Sequence, residues 1–190
     1  MNQAFSGAGL FLVQALLSIA TFAFLLRFIL QAVRADFYNP ITQGIVRLTD
    51  PVLRPLRKAL PSAGGLDLGA LLICLLLQTL LVFVAFGGVG IVTALLLASF
   101  QLLLLILDLY FWALILMVIL SWIAPGSAHP GAMLLHQVTE PVVAPFRRMI
   151  PPMGGLDLSV MAVFLILIVI REYLLPGLMI EMGLGRAALR

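Results

Sequence analysis

The stretch DPVLRPLRKALPSAGGLDL, residues 50–68, is written a second time as EPVVAPFRRMIPPMGGLDL, residues 140–158. The copies share Pro51/Pro141, Pro55/Pro145, Arg57/Arg147 and Pro61/Pro151, then Gly64/Gly154, Gly65/Gly155 and Asp67/Asp157. Each copy ends where a long apolar run begins. A sentence this unusual, repeated at an offset of 90 residues, marks a chain built from two equivalent units, 1–89 and 90–190.

Outward from the repeat, composition sets the class. Of the 190 residues, 63% are hydrophobic and 10% are charged. The mean hydropathy is +1.20. A soluble domain cannot hide that much apolar surface, so the reading is an integral membrane protein. Cys74 is the single cysteine and lies inside an apolar run, so no intrachain disulfide forms and the thiol is read as a packing residue. The opening MNQAFSGAGL lacks a basic n-region, which predicts that the first helix stays as a membrane anchor.

Four spans are expected, at about residues 10–33, 66–86, 98–123 and 156–175. Each is long enough to cross ~30 Å of hydrocarbon at ~1.5 Å per residue. Gly87, Gly88 and Gly90 separate the second from the third, and Pro176-Gly177 follows the fourth. The segment Ile91–Phe100 reads either as an extension of the third helix or as a short helix at the interface. Loop 34–65 carries Arg34, Arg47, Arg54, Arg57 and Lys58, and loop 124–155 carries Arg147 and Arg148. The positive-inside rule places both loops in the cytoplasm and both termini outside. A C-terminal tail holding Arg171, Arg186 and Arg190 is the exception to that charge bias. Two spans per unit return the chain to its starting side, so the repeats run parallel. The expected fold is all-α integral membrane: four transmembrane helices as two parallel-oriented two-helix repeats, with amphipathic interfacial helices in the cytoplasmic loops.

The repeated loops have their own pattern. Ile41, Ile45, Leu48, Val52, Leu56 and Leu60 recur at helical spacing, as do Leu135, Val138, Val142, Phe146 and Ile150. That stripe predicts an element lying flat at the inner headgroups. Thr49-Asp50-Pro51 reads as a cap with proline at the first helical position, and Pro55 argues for two short helices rather than one. Gly64-Gly65 and Gly154-Gly155 then turn the chain. Asp67 and Asp157 fall where the next spans start, as helix caps or as partners of Arg57 and Arg147. The basic residues Arg54, Arg57, Lys58, Arg147 and Arg148 are candidates for one surface that engages anionic lipids or an acidic protein partner. The plainer reading is an inner-leaflet anchor, at ~1 kcal/mol per charge.

These residues carry a resemblance. The doubled P-x-[LV]-x-P-[LF]-R-[RK]-x-[LI]-P-x-x-G-G-L-D-L pattern, with RADFYNPI at residues 34–41, Arg27 and Trp122, resembles the YggT (YlmG-like) family of bacterial membrane proteins along essentially the whole chain. The second copy departs from the first: Ala144 stands opposite Arg54, and His129-Pro130 opposite Asn39-Pro40. The resemblance implies a bacterial inner-membrane location and no established enzyme activity. It links such proteins to osmotic or envelope stress tolerance, to cell-division gene neighbourhoods and, in plastids, to nucleoid distribution and cytochrome assembly.

Inside the spans, Arg27 and Asp108 are charged and Gln78 lies between them in depth. Counted at ~1.5 Å per residue from the cytoplasmic ends, they sit ~10, ~24 and ~17 Å deep. The bland reading is a snorkelling Arg27 and a hydrogen-bonded Asp108. The sharper one is a polar track for an ion, which four helices could line only in an oligomer. His129 and His136 have no companions at metal-ligand spacing, and neither a phosphate loop nor a nucleophile elbow is present. No cofactor, metal, catalytic residue or nucleic-acid partner is therefore expected. Two functions remain: a non-enzymatic scaffold or assembly factor, or a small oligomeric channel or transport accessory.

Overall fold

The computed structural model of the chain describes residues 2–60, 64–150 and 157–184. Of the repeated turn, Gly64 and Gly65 fall within these segments, whereas Gly154 and Gly155 lie outside the described residues. Helices α1 (Asn2–Ala32), α2 (Pro40–Ala59) and α3 (Leu68–Phe86) make up the first half. The second half has α4 (Ile91–Ile123), α5 (Pro130–Met149), α6 (Leu158–Val169), a π-helical turn (Ile170–Leu174) and α7 (Leu175–Glu181).

Four helical segments are long and apolar enough to cross a membrane: Gly7–Ala32, Leu68–Phe86, Ile91–Ile123 and Leu158–Glu181. Within them only 17%, 33%, 17% and 28% of the most apolar window is buried in the bundle. The remainder is apolar surface that water cannot solvate favourably, so hydrocarbon is its natural surrounding. The chain is a multi-pass membrane protein.

Helix α1 packs along α3, and α3 packs along α4. One core joins Leu25, Ile29 and Leu30 of α1 to Ala70 and Cys74 of α3 and reaches Leu53 of α2 and Val138 of α5. A second, at the opposite end, joins Val82 of α3 to Ala94 and Leu97 of α4 and Met179 of α7. The third holds α6 onto α4 and α5 through Leu114, Val143, Val160 and Val163. At the α3–α4 turn Gly87 and Gly88 have φ of 53° and 66°, and Gly64 and Gly65 have 62° and 88°. Only glycine enters that left-handed region without strain, so these pairs turn the chain within two residues.

One open reading is decided and several expectations are corrected. Ile91–Phe100 extends the third span without a break, because nothing in IVTALLLASF interrupts a helix. The loop element of the first half is one helix of 20 residues, not two. Its cap is Asn39, whose side chain accepts the Ile41 amide, with Pro40 at the first position; Thr49-Asp50-Pro51 is interior. Pro51, Pro55, Pro141 and Pro145 are tolerated because all four lie on exposed faces, where water can reach the carbonyls they free. The buried face of α2 is Thr42, Val46, Thr49 and Leu53, whereas Ile41, Leu48 and Val52 stay exposed. Thr49 can turn inward because its hydroxyl donates to the Ile45 carbonyl at 2.8 Å. The fourth span passes through Pro176 to Glu181. In the preceding π turn the Leu175 amide donates to Ile170, a wider loop that absorbs the irregularity ahead of the proline.

Candidate functional site: two clasped loop helices

Helices α2 and α5 lie at the same end of the bundle. Asn39 Nδ2 donates to the Pro130 carbonyl at 2.7 Å, and the Asp36 amide donates to Gln137 Oε1 at 3.0 Å. The two helices begin alike: Asn39 Oδ1 accepts the Ile41 amide at 2.9 Å, and His129 Nδ1 accepts the Gly131 amide at 3.1 Å. These bonds join the amino-terminal ends of α2 and α5. The basic residues lie at the far ends, where α2 meets the start of α3 and α5 meets the start of α6.

In the first half, Asp67 Oδ1 accepts the Ala70 amide at 3.1 Å, and Asp67 Oδ2 takes Arg57 Nη2 at 2.5 Å. The Asp67 side chain is only 2% exposed, that of Arg57 34%. Asp50 accepts Arg54 Nε at 3.2 Å and lies 3.8 Å from Arg57 and 4.0 Å from Arg27. Three helices thus meet at alternating charges. Arg27 Nε and Asp50 Oδ1 are buried there without a hydrogen-bond partner. The approach is close: a Cβ on Gly69 would stand 3.3 Å from both Asp67 Oδ1 and Leu56 Cδ2.

The second half repeats the clasp with changes. Asp157 Oδ1 accepts the Ser159 amide at 3.0 Å, and Oδ2 lies 3.1 Å from Arg147 Nε and 3.0 Å from Nη2. Glu140, opposite Asp50, takes Arg147 Nη1 with both oxygens, at 2.9 and 2.8 Å. Met117 replaces the guanidinium of Arg27 and meets the Thr139 hydroxyl instead. Ser159 stands opposite Gly69 and donates to the Ile150 carbonyl at 3.0 Å. Partial burial works against the charged form of Asp157. The hydrogen bonds from Arg147 and Ser159 and the Arg147 charge outweigh it, so the carboxyl titrates below its ordinary value. Burial likewise opposes the Arg147 charge, but Glu140 and Asp157 raise its pKa above the ordinary value. Arg57 and Arg147 are therefore committed to internal ion pairs. Of the five candidate basic residues, Arg54, 78% exposed at its side chain, and the exposed Lys58 and Arg148 are the ones that face outward.

The intramembrane residues part company. Arg27 belongs to the first clasp. Gln78 Nε2 donates to Gln101 Oε1 at 2.8 Å. Asp108 Oδ1 accepts Arg171 Nε at 2.5 Å, and Arg171 also holds its neighbour Glu172. Gln78 and Asp108 do line one groove of about 340 Å³, with Ser18, Thr21 and Gln101, so two of the three expected track residues share a space. The reading of Arg171 as part of a tail is corrected: the span continues past it, and it pairs with the only acid of α4. The sequence signal was there: Arg171-Glu172 falls inside the expected fourth span, 156–175. No His, Cys, Asp and Glu group suited to a metal occurs among the described residues.

A family model described as CCB3/YggT matches the chain twice, over residues 6–87 and 96–178. An uncharacterised protein of Pseudomonas aeruginosa is 46% identical over 166 residues, covering 84% of each chain. Another, from Vibrio alginolyticus, is 42% identical over 161 residues, 82% of this chain and 86% of its own. The uncharacterised YggT protein of Escherichia coli K12 is 35% identical over 180 residues, 88% of this chain and 95% of its own. No solved structure matches.

Proposed function

This chain belongs to the CCB3/YggT family, and on that premise we propose that it is a non-enzymatic scaffold or assembly factor of the bacterial inner membrane. Its working surface is the pair of loop helices, lying in the cytoplasmic interface. The observation that carries this reading is the double clasp. Arg57–Asp67 and Arg147–Asp157 fix each loop helix to the start of the following span. A loop serving only as a connector needs no such fastening. The clasp holds Arg54, Lys58 and Arg148 outward, where anionic headgroups or an acidic partner can meet them. The exposed Ile41, Leu48 and Val52 seat the α2 flank in hydrocarbon. Osmotic or envelope stress tolerance is the cellular setting in which the loss of such a factor would register. The test is Arg54→Glu, Lys58→Glu and Arg148→Glu together, scored by growth of a deletion strain under osmotic upshift. Growth is expected to fall although the protein inserts normally, and wild-type growth would sink the proposal.

One observation favours the transport reading as a second possibility. The groove holding Gln78, Gln101, Ser18, Thr21 and Asp108 puts several polar groups among the spans, where they are costly and usually functional. In an oligomer it could form part of a path. Under this reading Asp108→Asn abolishes growth of the deletion strain under osmotic upshift and the triple charge reversal does not. The opposite pattern supports the scaffold.

A further inference from the structure

The last turns of α4 and the first turns of α5 face each other across a pocket of about 430 Å³. Met117 lines it from α4, and Met133 and His136 line it from α5. Met133 and His136 are three residues apart on one helix, so their Cβ atoms lie ~5–6 Å from each other on a shared face. Thr139 follows three residues later. Its hydroxyl, bonded back to the Leu135 carbonyl at 2.8 Å, lies 3.0 Å from Met117 Sδ. That contact brings the Met117 sulfur to the neighbourhood of His136, from the opposite wall. His136 Nε2 lies 3.6 Å from Glu140 Oε2, and Glu140 is itself held by Arg147. A carboxylate beside one ring nitrogen is the usual support of a metal-binding histidine, and it leaves the other nitrogen, here Nδ1, for the ion.

The internal repeat supplies a control. At the offset of 90 residues, the counterparts of Met117, Met133 and His136 are Arg27, Gln43 and Val46. Helices α1 and α2, the counterparts of α4 and α5, pack together with none of the three donors, and Val46 is buried. Packing of this helix pair therefore does not require two thioethers and an imidazole. Met133 is 46% exposed and the His136 side chain 63%, so neither is spent on filling a core.

We infer that Met117, Met133 and His136 form a site for one soft monovalent metal ion, Cu(I), at the loop end of the bundle. Thioether and imidazole donors suit Cu(I), whereas Mg(II), Ca(II) and Mn(II) take carboxylate, carbonyl and water oxygens. Zn(II) takes thiolate, imidazole and carboxylate, and the pocket lining offers only the imidazole of these. Methionine has three rotatable bonds, so the two thioethers can close on an ion from opposite walls. Arg54, Lys58 and Arg148 do not line this pocket, so the site stands or falls independently of the scaffold reading.

The test titrates the untagged full chain in detergent with Ag(I), a redox-stable ion of the same class, and with Cu(I) under reductant. The wild type should bind one equivalent of either ion. His136→Val and Met133→Leu, both at exposed positions, should each weaken binding at least ~10-fold, since even an outer partner of a ligand contributes ~10–100-fold. Met149→Leu, at the far end of α5 and 78% exposed, should bind as the wild type does. Equal affinity in all four proteins, or an equal loss in Met149→Leu, overturns the site. Displacement of Ag(I) by equimolar Zn(II) overturns it as well. X-ray absorption at the copper edge needs no variant. Sulfur should stand among the nearest neighbours of the bound Cu(I), and neighbours of nitrogen and oxygen alone overturn the proposal.

Discussion

At the scale of the residue, the two clasps share a design and differ in depth. Asp67 is 2% exposed and Asp157 31%. Replacing either removes a helix cap, at ~0.5–2 kcal/mol. Asp67→Ala also leaves the Arg57 guanidinium beside a buried, vacated position. A hydrogen bond to a charged group contributes ~1.5–3 kcal/mol, whereas exposed ion pairs contribute ~0.2–1 kcal/mol. Asp67→Ala should therefore lower the melting temperature clearly more than Asp157→Ala; equal losses would refute this ordering. The lowered pKa of Asp157 has a definite sign. A carboxyl held below its ordinary value stabilises the fold above the unfolded-state pKa, near ~4, and that contribution disappears as pH falls through the folded value. Thermal stability of the wild type should thus drop on acidification from pH 5 to 3, and Asp157→Asn should show a shallower drop, measured in detergent. The aspartates were legible in sequence because a carboxylate after Gly-Gly at the head of an apolar run has few other uses. The partner of Arg27 was not legible: depth counted along α1 could not reveal that Asp50 of α2 comes up to meet it.

At the scale of the element, apolar length made the spans legible, and their ends were the weak point. Proline misled twice. Inside α2 and α5 it marks the exposed face, not a break. In the first turn of α7 it follows a π turn that local sequence does not announce. That turn carries Arg171 to Asp108, ~20 Å along the helix from Leu158 at ~1.5 Å per residue. Such depth makes an unpaired charge worse than no charge. Arg171→Gln alone leaves the Asp108 carboxylate without its counter-charge inside the span and should cost about 2 kcal/mol, or ~4–8 °C in melting temperature. Adding Asp108→Asn should recover much of that loss. A double variant as unstable as the sum of the singles would mean that the two side chains act separately.

At the scale of the whole molecule, the repeat seen in the sequence reappears as matched contacts: Asn39 and His129 as caps, Thr49 and Thr139 bonded back to their own helices, Arg57 and Arg147 on Asp67 and Asp157. The halves still diverge where sequence alone is silent. α1 lies against α3 over a long interface, while their counterparts α4 and α6 touch over a shorter one, because α4 is also engaged by α3 and α5. Hydrogen bonds between the loops put α2 and α5 at one end, and the Gly87–Gly90 turn ends the helices that run away from it. The proposed cytoplasmic end is the basic one, as the positive-inside rule prefers. Arg34, Arg47, Arg54, Arg57, Lys58, Arg147 and Arg148 all lie with the loops, and the α3–α4 turn has no basic residue. Cysteine labelling checks this orientation. Cys74 is fully buried, so a Cys74→Ser background is silent without disturbing an exposed site. Tyr38→Cys, at a position 84% exposed, and Ser127→Cys report on the loop end. Gly90→Cys reports on the other; its φ of −64° suits any residue, and nothing lies within 4 Å of a new Cβ. In intact spheroplasts an impermeant maleimide should label Gly90→Cys, and should label Tyr38→Cys and Ser127→Cys only after lysis. Labelling of Tyr38→Cys or Ser127→Cys before lysis would place the basic helices outside and would remove the proposed cytoplasmic surface with them.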